Sequence, residues 1–477
     1  MRFGGRQRDL SLLMSHLESV RRGDGASRGS ALVVTGRRRV GKSRLVQEFC
    51  DQAGVVSVTF QATFGRTPQA ERADLMEVIV ASGLDKAELL SGVRPTDWNQ
   101  ALRALAVALP GDVPSIVVLD EIPWLMAQDP SFEGALQTIW DRYLAAKPVL
   151  LLLIGSDQSV MEGLRDSDRP FFGRASLMRV DPLNPADVQS MMAGTELEAI
   201  DAWLITGGFP QITASWREGE SRRSFLRRAL SDPLSPLLVS AELSLLGEFP
   251  RSLQARAVLE AIGTGETTFS TIAQTAGGAQ PLLSGTLSPL LTTLVDKRVV
   301  AVDSPLSTGH DSRNRRYRVA DSYLRFWLAF GAAALPLAER GLGDLAFQRL
   351  ESSWNAWRGR AVEPLIRESL QRILMSQPDS GVAAVGAWWN RRNNPEIDLV
   401  GADQGPVAKH VRFIGSIKWR EQGAFTRRDL APVVEAAHLI PGATEAQIVA
   451  VSANGVEPGV PLAQSWGPED IVAAWRD

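Results

Sequence analysis

The amino-acid sequence predicts an α/β fold in which a parallel sheet, covered by helices on both faces, occupies the first 190 residues. Three observations predict this class. Short apolar runs alternate with stretches in which apolar residues recur at helical spacing. Two of the runs, Leu32–Thr35 and Ile116–Leu119, end abruptly in glycine or in carboxylates, as strands do at the ligand-binding edge of such sheets. The chain of 477 residues also exceeds what one hydrophobic core usually serves, so further domains are expected.

The predicted elements of this first part follow one another as helix, strand and helix. A helix is expected over 3–20, and a polar, glycine-rich loop separates it from the strand that ends at Thr35. The segment 43–49 is compatible with a helix. Beyond it we predict a strand at 55–60, helices at 75–81 and 98–109, and buried strands at 115–120 and 148–155.

The segment from Ala31 to Arg44, ALVVTGRRRVGKSR, fits the phosphate-binding pattern G-x-x-x-x-G-K-[ST]. Its glycines allow a tight turn that brings backbone N–H groups close to phosphate oxygens, and the following helix start adds partial positive charge. A chance match would not be expected to have a strand before it and a helix after it. We therefore predict an ATP-binding P-loop made of Gly36, Arg37, Arg38, Arg39, Val40, Gly41, Lys42, Ser43 and Arg44.

Within this loop, Lys42 is expected to reach the β- and γ-phosphates and Ser43 to hold Mg²⁺. The second signal is IVVLDE, where an apolar strand delivers Asp120 and Glu121 to its carboxyl end. We predict that Asp120 helps to hold the Mg²⁺ ion and that Glu121 is catalytic, because a carboxylate can orient and polarise the attacking water. An acidic pair that merely ends a strand is the alternative, which the P-loop makes less favourable.

Two further candidate catalytic residues follow. Ser156 comes directly after the strand at 148–155, where a polar residue could sense the γ-phosphate; alternatively, the Ser-Asp-Gln segment caps the next helix. Arg174 lies in a turn before a strand predicted at 176–180. It could neutralise transition-state charge in its own subunit or in a neighbouring one, or it could simply be solvated or paired with a carboxylate.

Composition excludes some classes of function. The net charge of -3 argues against a protein that coats nucleic acid with its whole surface, so any basic surface is local. One cysteine, Cys50, excludes an intramolecular disulfide and fits a reducing cytoplasm. The first residues lack the apolar region of a signal peptide, and the longest apolar run, Val149–Ile154, is far too short to cross a bilayer. We expect a cytoplasmic protein without a membrane partner.

The middle of the chain predicts helices followed by a hairpin. Residues 221–248 are rich in leucine and arginine and are expected to be helical. Three helical segments and two strands are then predicted at 253–262, 268–276, 281–294, 299–302 and 315–319, the order of a winged helix-turn-helix. The third helix has no basic residue, which suits a DNA major groove poorly. The wing has a basic cluster of five residues: His310, Arg313, Arg315, Arg316 and Arg318. Either this cluster follows a DNA backbone, or the hairpin that carries it is solvated and packs against the ATPase part.

The last part of the chain resembles the PD-(D/E)xK nuclease core. Its residues are Glu363 on an amphipathic helix, Glu396 and Asp398 on one face of a strand, and Lys418 in the segment FIGSIKW. In that core the carboxylates hold Mg²⁺ and the lysine polarises the attacking water. The usual acidic position two residues before the lysine is Ser416 here. Because a neutral hydroxyl removes one anionic metal ligand, we expect a degenerate site.

The chain resembles, over essentially its whole length, the prokaryotic AAA-type ATPases related to the STAND branch. The resemblance rests on six segments in this order: FGGRQRDL, GRRRVGKS, IVVLDE, LLLIGS, FGR and GGFP. Members of that family carry a C-terminal restriction-endonuclease-like domain. The resemblance implies a P-loop ATPase domain at 1–190, a helical lid or connector at 191–250, a winged helix at 251–320 and a nuclease-like domain at 321–477.

These expectations favour a switch or motor that binds ATP with Mg²⁺ and hydrolyses the ATP. It would act on DNA or on a protein partner. A second copy of the chain is a further candidate partner. An active ATP-dependent nuclease is one alternative, against which Ser416 argues. A nucleotide-binding scaffold with little turnover is the other, against which the Asp120–Glu121 pair argues.

Overall fold

The computed structural model describes residues 3–23, 27–248, 253–309, 311, 314–392 and 394–476. The chain divides into two compact units, Met1–Pro182 and Leu183–Asp477. The predicted domain boundary at residue 190 falls inside a helix of the second unit, Pro185–Met192. This helix begins just after the division at Pro182, with Asn184 as its N-cap. The division into four domains stays a prediction.

The first unit is built on a parallel sheet, so the α/β prediction is confirmed. Its spatial order is β2-β3-β4-β1-β5. Every residue of β3 and β4 is buried, because both strands lie inside the sheet and helices cover both faces. The strands are β1 (Ser30–Thr35), β2 (Val56–Gln61), β3 (Ser115–Asp120), β4 (Val149–Ile154) and β5 (Ser176–Arg179).

Helices of the first unit connect these parallel strands. The described helices are α1 (Gln7–Arg22), α2 (Lys42–Ala53), α3 (Pro68–Ala81), α4 (Trp98–Ala108), α5 (Ile122–Gln128), α6 (Ser131–Ile139) and α7 (Gln158–Gly163). The core between sheet and helices includes the aromatic pair Trp98 and Phe132, whose ring centroids are 5.0 Å apart. This packing fixes the carboxyl ends of the strands, where ligands bind in such sheets.

The second unit begins with helices. They are α8 (Pro185–Met192), α9 (Glu196–Thr206), α10 (Pro210–Thr213), α11 (Arg222–Ser231), α12 (Pro236–Glu248), α13 (Leu253–Gly263), α14 (Phe269–Gly277) and α15 (Ser284–Asp296). The antiparallel strands β6 (Val300–Asp303) and β7 (Arg316–Val319) follow as a hairpin. This is the element order predicted for 253–319; its assignment as a winged helix stays a prediction.

A second, mixed sheet forms the end of this unit, with the order β12-β11-β10-β9-β8. Strands β8, β9 and β10 pair antiparallel, whereas β10, β11 and β12 pair parallel. The strands are β8 (Ala384–Trp389), β9 (Glu396–Ala402), β10 (Val411–Lys418), β11 (Gln447–Ser452) and β12 (Gln464–Trp466). Around them lie α16 (Ser322–Phe326), a π-helical turn (Trp327–Gly331), α17 (Ala332–Glu339), α18 (Gly343–Met375), α19 (Arg427–Ala436) and α20 (Pro468–Ala473).

The long helix α18 packs against this second sheet and against α9. A buried ion pair joins the two helices, because Arg358 Nε lies 2.5 Å from Asp201 Oδ1 and the Arg358 side chain is 1% exposed. The GGFP segment follows α9. Gly207 ends that helix in the left-handed conformation, and a Cβ on Gly208 would lie 2.0 Å from the carbonyl oxygen of Leu183. These two glycines allow the chain to turn sharply after α9.

Among the described residues, no helix is both long enough and apolar enough to cross a membrane.

Candidate functional site

The predicted P-loop follows β1 at the carboxyl edge of the parallel sheet and leads into α2. Gly36 has φ 155°, and a Cβ there would lie 2.2 Å from the carbonyl oxygen of Val180. Gly41 has φ 90° and directly precedes the helix. Because L side chains rarely adopt these conformations, both positions require glycine. Val40 is fully buried and anchors the loop in the core.

Lys42 is 7% exposed, and its ammonium lies inside the loop. Its Nζ donates to the carbonyl oxygens of Gly36, at 2.8 Å, and of Arg37, at 3.1 Å. Burial lowers the pKa of Lys42 to about 8, while the negative charges of Glu121 and Asp120 oppose that shift. A phosphate bound in the loop would add negative charge beside this ammonium and stabilise its charged form.

Ser43 and Asp120 meet across the sheet edge. Ser43 Oγ donates to Asp120 Oδ2 at 2.7 Å, and the backbone N–H of Glu121 donates to Asp120 Oδ1 at 2.8 Å. A hydroxyl and a carboxylate are the oxygen ligands that a phosphate-bound Mg²⁺ takes from a protein. The described residues hold no group of three or more His, Cys, Asp or Glu side chains placed to bind a metal ion. A Mg²⁺ ion at Ser43 and Asp120 would thus take its remaining ligands from phosphate and water.

Glu121 sits at the turn between β3 and α5 with φ 56°, a conformation that costs a non-glycine residue roughly 1–2 kcal/mol. Its carboxylate accepts a hydrogen bond from Ser156 Oγ at 3.0 Å. Ser156 thus contacts Glu121, and its predicted role as a γ-phosphate sensor stays a prediction. The neighbouring Asp157 caps α7, since its carboxylate accepts from the N–H groups of Ser159 and Val160. The capping interpretation of the Ser-Asp-Gln segment therefore holds for Asp157.

Arg174 lies away from the P-loop of its own sheet. Strand β5 runs parallel to β1, with Ser176 beside Leu32 and Arg179 beside Thr35, so Arg174 precedes the amino end of β5. The four residues of β5, which span roughly 13 Å, separate it from the edge that carries the P-loop. The Arg174 guanidinium donates twice to Asp141, at 2.8 Å each. A role in its own nucleotide site is therefore wrong on geometric grounds.

Arg6 is a residue whose role at this site the sequence did not indicate. It is 5% exposed, and its guanidinium donates to the carbonyl oxygens of Val40, at 2.5 Å, and of Asp181, at 2.9 Å. It also pairs with Asp9 at 2.8 Å. Arg6 therefore ties the start of α1 to the P-loop and to the chain that follows β5. The FGGR segment was the available signal, but its contact with Val40, 34 positions away, is not readable from spacing.

The second set of carboxylates, in the second unit, is arranged differently. Asp398 accepts from Ser416 Oγ at 2.8 Å and from the backbone N–H of Ile417 at 2.9 Å. Glu396 accepts two hydrogen bonds from Arg316, at 2.5 and 3.1 Å. Glu363 accepts from Arg367 at 3.3 Å. Each carboxylate of the predicted nuclease-like site thus has a donor from the protein.

Lys418 and two of these acids line different openings of the second unit. Glu363 and Glu396 line one cavity, whereas Lys418 lines a separate depression next to Asn355 and Arg420. Burial raises the pKa of Glu363 to about 7; the charge of Arg367 opposes this shift, and the charges of Asp398 and Glu396 add to it. Lys418 ends β10 two positions after Ser416, whose hydroxyl donates to Asp398. That the four residues form one constellation stays a prediction.

Two arginines of the predicted basic wing form ion pairs with acids of the second unit. Arg316 pairs with Glu396, and its guanidinium carbon lies 4.2 Å from the ring centroid of Trp389. Arg318 pairs with Asp303 at 2.8 Å. The hairpin therefore packs against strands β8 and β9 of its own unit. Arg315 is exposed, whereas the two remaining members of the cluster, His310 and Arg313, lie outside the described residues.

Comparisons with known proteins add the following similarities. A family model for archaeal and bacterial proteins of unknown function matches residues 327–430. An uncharacterised protein of Methanocaldococcus jannaschii is 22% identical over 315 residues, which are 64% of this chain and 68% of that protein.

Two solved structures are similar at low identity. A Walker-type ATPase of Pyrococcus abyssi aligns with a TM-score of 0.48 and 18% identity, over 68% of this chain and 96% of that one. The ORC2 protein of Aeropyrum pernix, in ADPNP and ADP complexes, aligns with a TM-score of 0.44 and 12% identity, over 70% of this chain and 94% of that one. Similarity at these levels assigns no role to this chain.

Proposed function

We propose that the protein binds Mg²⁺-ATP at the P-loop of the first unit and hydrolyses it. The observation that carries this proposal is the 2.7 Å hydrogen bond between Ser43 Oγ and Asp120 Oδ2, which joins two motifs 77 positions apart at one sheet edge. An accidental basic loop would have no reason to meet an acidic strand end there.

Each side chain has a defined task in this proposal. The ammonium of Lys42 neutralises charge on the β- and γ-phosphates, and the N–H groups from Gly36 to Ser43 bind phosphate oxygens. Ser43 and Asp120 would hold the Mg²⁺ ion, which neutralises phosphate charge when it is bound. Glu121 orients the attacking water and takes up its proton, and the hydroxyl of Ser156 keeps the Glu121 carboxylate in position.

Two substitutions separate binding from turnover. Lys42→Ala is expected to abolish ATP binding, because the phosphate charge would lose its buried counter-ion. Glu121→Gln keeps the shape and the hydrogen bond to Ser156 but loses the proton acceptor, so ATP should still bind while turnover drops about a hundredfold or more. Calorimetric titration with ATP and a phosphate-release assay measure the two effects. Equal loss of binding in both variants would contradict the assigned roles.

We further propose that Arg174 acts on the nucleotide of a neighbouring copy of the chain. The proposal is supported by its position at the sheet edge opposite its own P-loop. Mixing Arg174→Ala protein with Lys42→Ala protein should then restore part of the hydrolysis, since each copy supplies what the other lacks. Asp141→Asn, which removes the carboxylate that now pairs with Arg174, serves as the matched control and should keep activity. Mixed assemblies that form without recovering activity would contradict this role.

For the second unit we propose a target-binding role, toward DNA or a protein, without cleavage of DNA. The proposal is supported by the protein donors on Glu363, Glu396 and Asp398 and by the separate opening at Lys418. Incubation of the full chain with duplex DNA in Mg²⁺ and in Mn²⁺, with and without ATP, tests it. Metal-dependent cleavage that disappears in Asp398→Ala would overturn it.

A further inference from the structure

The second unit contains a cavity of about 1110 Å³, and Glu363 and Glu396, whose donors support the proposed target-binding role, form part of its wall. Its walls come from the end of α13, the β6–β7 hairpin, the α16 region, helix α18 and strand β8. Ligand pockets are typically about 300–1,000 Å³, so there is room for a molecule of nucleotide size. The P-loop lies in the other unit, and it contributes nothing to this cavity.

Arginines outnumber acids among the lining residues. The charged residues of the lining are Arg316, Arg318, Arg325, Arg360, Arg367, Asp303, Glu363, Glu368 and Glu396. Three of the arginines pair with three of these acids: Arg316 with Glu396, Arg318 with Asp303, and Arg367 with Glu363. The fourth acid, Glu368, pairs with Arg372 on its own helix. Within the described part of the chain, Arg325 and Arg360 form no ion pair, so the cavity carries surplus positive charge.

Arg325 is the more informative of these two arginines. Its Nε is buried without a hydrogen-bond partner in the described residues. Burial lowers the pKa of Arg325 to about 10, and the nearby charges of Arg318 and Arg367 add to this shift, whereas Glu363 and Asp321 oppose it. The Arg325 side chain as a whole is partly exposed and lines the cavity, so an anion bound beside its guanidinium would offset the cost of holding this charge at a poorly solvated position. The cavity therefore has a built position for an anionic group.

Flat apolar surfaces lie beside this charge. Trp357 and Phe330 line the same cavity, with ring centroids 5.4 Å apart, and both are only partly buried. Tyr317 of β7 is a further partly buried aromatic side chain in the lining. Aromatic faces of this kind stack on the rings of nucleobases, and each stacked base adds appreciably to affinity. Surplus arginine charge next to partly exposed rings is a combination that suits a nucleotide.

We propose that this cavity binds a nucleotide, with its phosphate against Arg325 and Arg360 and its base against Trp357 and Phe330. The same chemistry is offered by a free mononucleotide and by the phosphorylated end of a nucleic-acid strand. Arg325 and Arg360 do not belong to the predicted nuclease-like motif, and Glu363 and Glu396 of that motif line another part of the same cavity. It would give the second unit a ligand site of its own, independent of ATP at the P-loop.

The test uses the full chain carrying Lys42→Ala, so that binding at the P-loop does not contribute. The probes are AMP, inorganic phosphate, and a short single-stranded oligonucleotide with and without a 5′-phosphate. Calorimetry is expected to give one AMP per chain. Arg325→Gln should weaken binding at least tenfold, the usual size for a lost hydrogen bond to a charged group. Arg360→Gln, at an exposed position that does not endanger the fold, should weaken it several-fold.

Arg349→Gln is the matched control, since Arg349 is an exposed arginine on the same helix that does not line the cavity. It should leave binding unchanged. Tighter binding of AMP than of the oligonucleotides would identify a free nucleotide as the ligand, and tighter binding of the 5′-phosphorylated strand alone would identify a strand end. Inorganic phosphate binding as tightly as AMP would overturn the role of the rings. Absence of binding by every probe, or binding that Arg360→Gln and Arg325→Gln both leave unchanged, would overturn the site itself.

Discussion

The protein contains two sets of carboxylates, one in each unit, and they differ in what their oxygens contact. In the first unit, Asp120 and Glu121 accept hydrogen bonds from the hydroxyls of Ser43 and Ser156. In the second unit, Glu396 and Glu363 pair with the guanidinium groups of Arg316 and Arg367. A hydroxyl can remain a ligand beside a metal ion, whereas an arginine competes with the ion for the same carboxylate.

The difference shows that the presence of the residue types of a metal site is a weak guide to whether the site binds a metal ion. Metal binding depends on which groups of the protein already neutralise each carboxylate. Asp398 illustrates the point, because Ser416 stands where a further acid is usual and satisfies the Asp398 carboxylate with an O–H and its neighbour's N–H. A second acid there would have repelled Asp398 and favoured a cation between them.

The largest expected effect on the free energy of unfolding comes from substitution of Glu363, an acid of the second set. Its folded-state pKa of about 7 lies above its ordinary value of 4.5, so the folded protein keeps this proton to higher pH than the unfolded chain. The free energy of unfolding should therefore fall as pH rises from 4.5 through 7. Glu363→Gln should stabilise the protein at pH 8, by at most about 3 kcal/mol, and leave it nearly unchanged at pH 4.5.

Denaturant titrations at the two pH values measure this shift. Glu368→Gln provides the matched control, because Glu368 is an exposed acid on the same helix. Equal stability of Glu363→Gln and the parent at pH 8 would mean that a cation already neutralises Glu363. The two sets of carboxylates would then be more alike than the hydrogen bonds indicate.

A smaller effect is expected at Arg6, which positions the P-loop and does not itself reach the phosphates in our account. Arg6→Met removes the donors to Val40 and Asp181 while keeping much of the buried volume. Two lost hydrogen bonds from a charged donor should loosen the loop and weaken ATP affinity roughly tenfold. Rescue by Arg6→Lys should be partial, because a single ammonium replaces two guanidinium nitrogens, one of which donates to both carbonyls and the other to Asp9.

Arg8→Gln is the control for this measurement, since Arg8 is exposed and lies two positions further along the same segment. Calorimetric titration of ATP should give the parent affinity for Arg8→Gln. If Arg6→Met also bound ATP with parent affinity, the P-loop would be rigid without Arg6, and its tie to α1 would serve stability alone.

The sequence predicted the parallel sheet, the P-loop and the acidic strand end because each is a contiguous pattern. Gly36, Lys42 and Asp120 lie within segments whose local chemistry is sufficient to identify them. It did not predict that Arg6 contacts Val40 or that Arg316 neutralises Glu396, 80 positions away, because such pairs depend on packing between distant elements. The opposite edge taken by Arg174 likewise depends on how the strands are ordered in their sheet.

Counting bound Mn²⁺ ions in the full chain tests the central contrast most directly. Without nucleotide, neither set of carboxylates should hold an ion tightly. With a non-hydrolysable ATP analogue, one Mn²⁺ per chain should bind, and Asp120→Asn should remove it whereas Asp398→Asn should not. A tightly bound Mn²⁺ that needs no nucleotide and disappears in Asp398→Asn would contradict the account, because the second unit would then hold the metal site and its arginines would not exclude a cation.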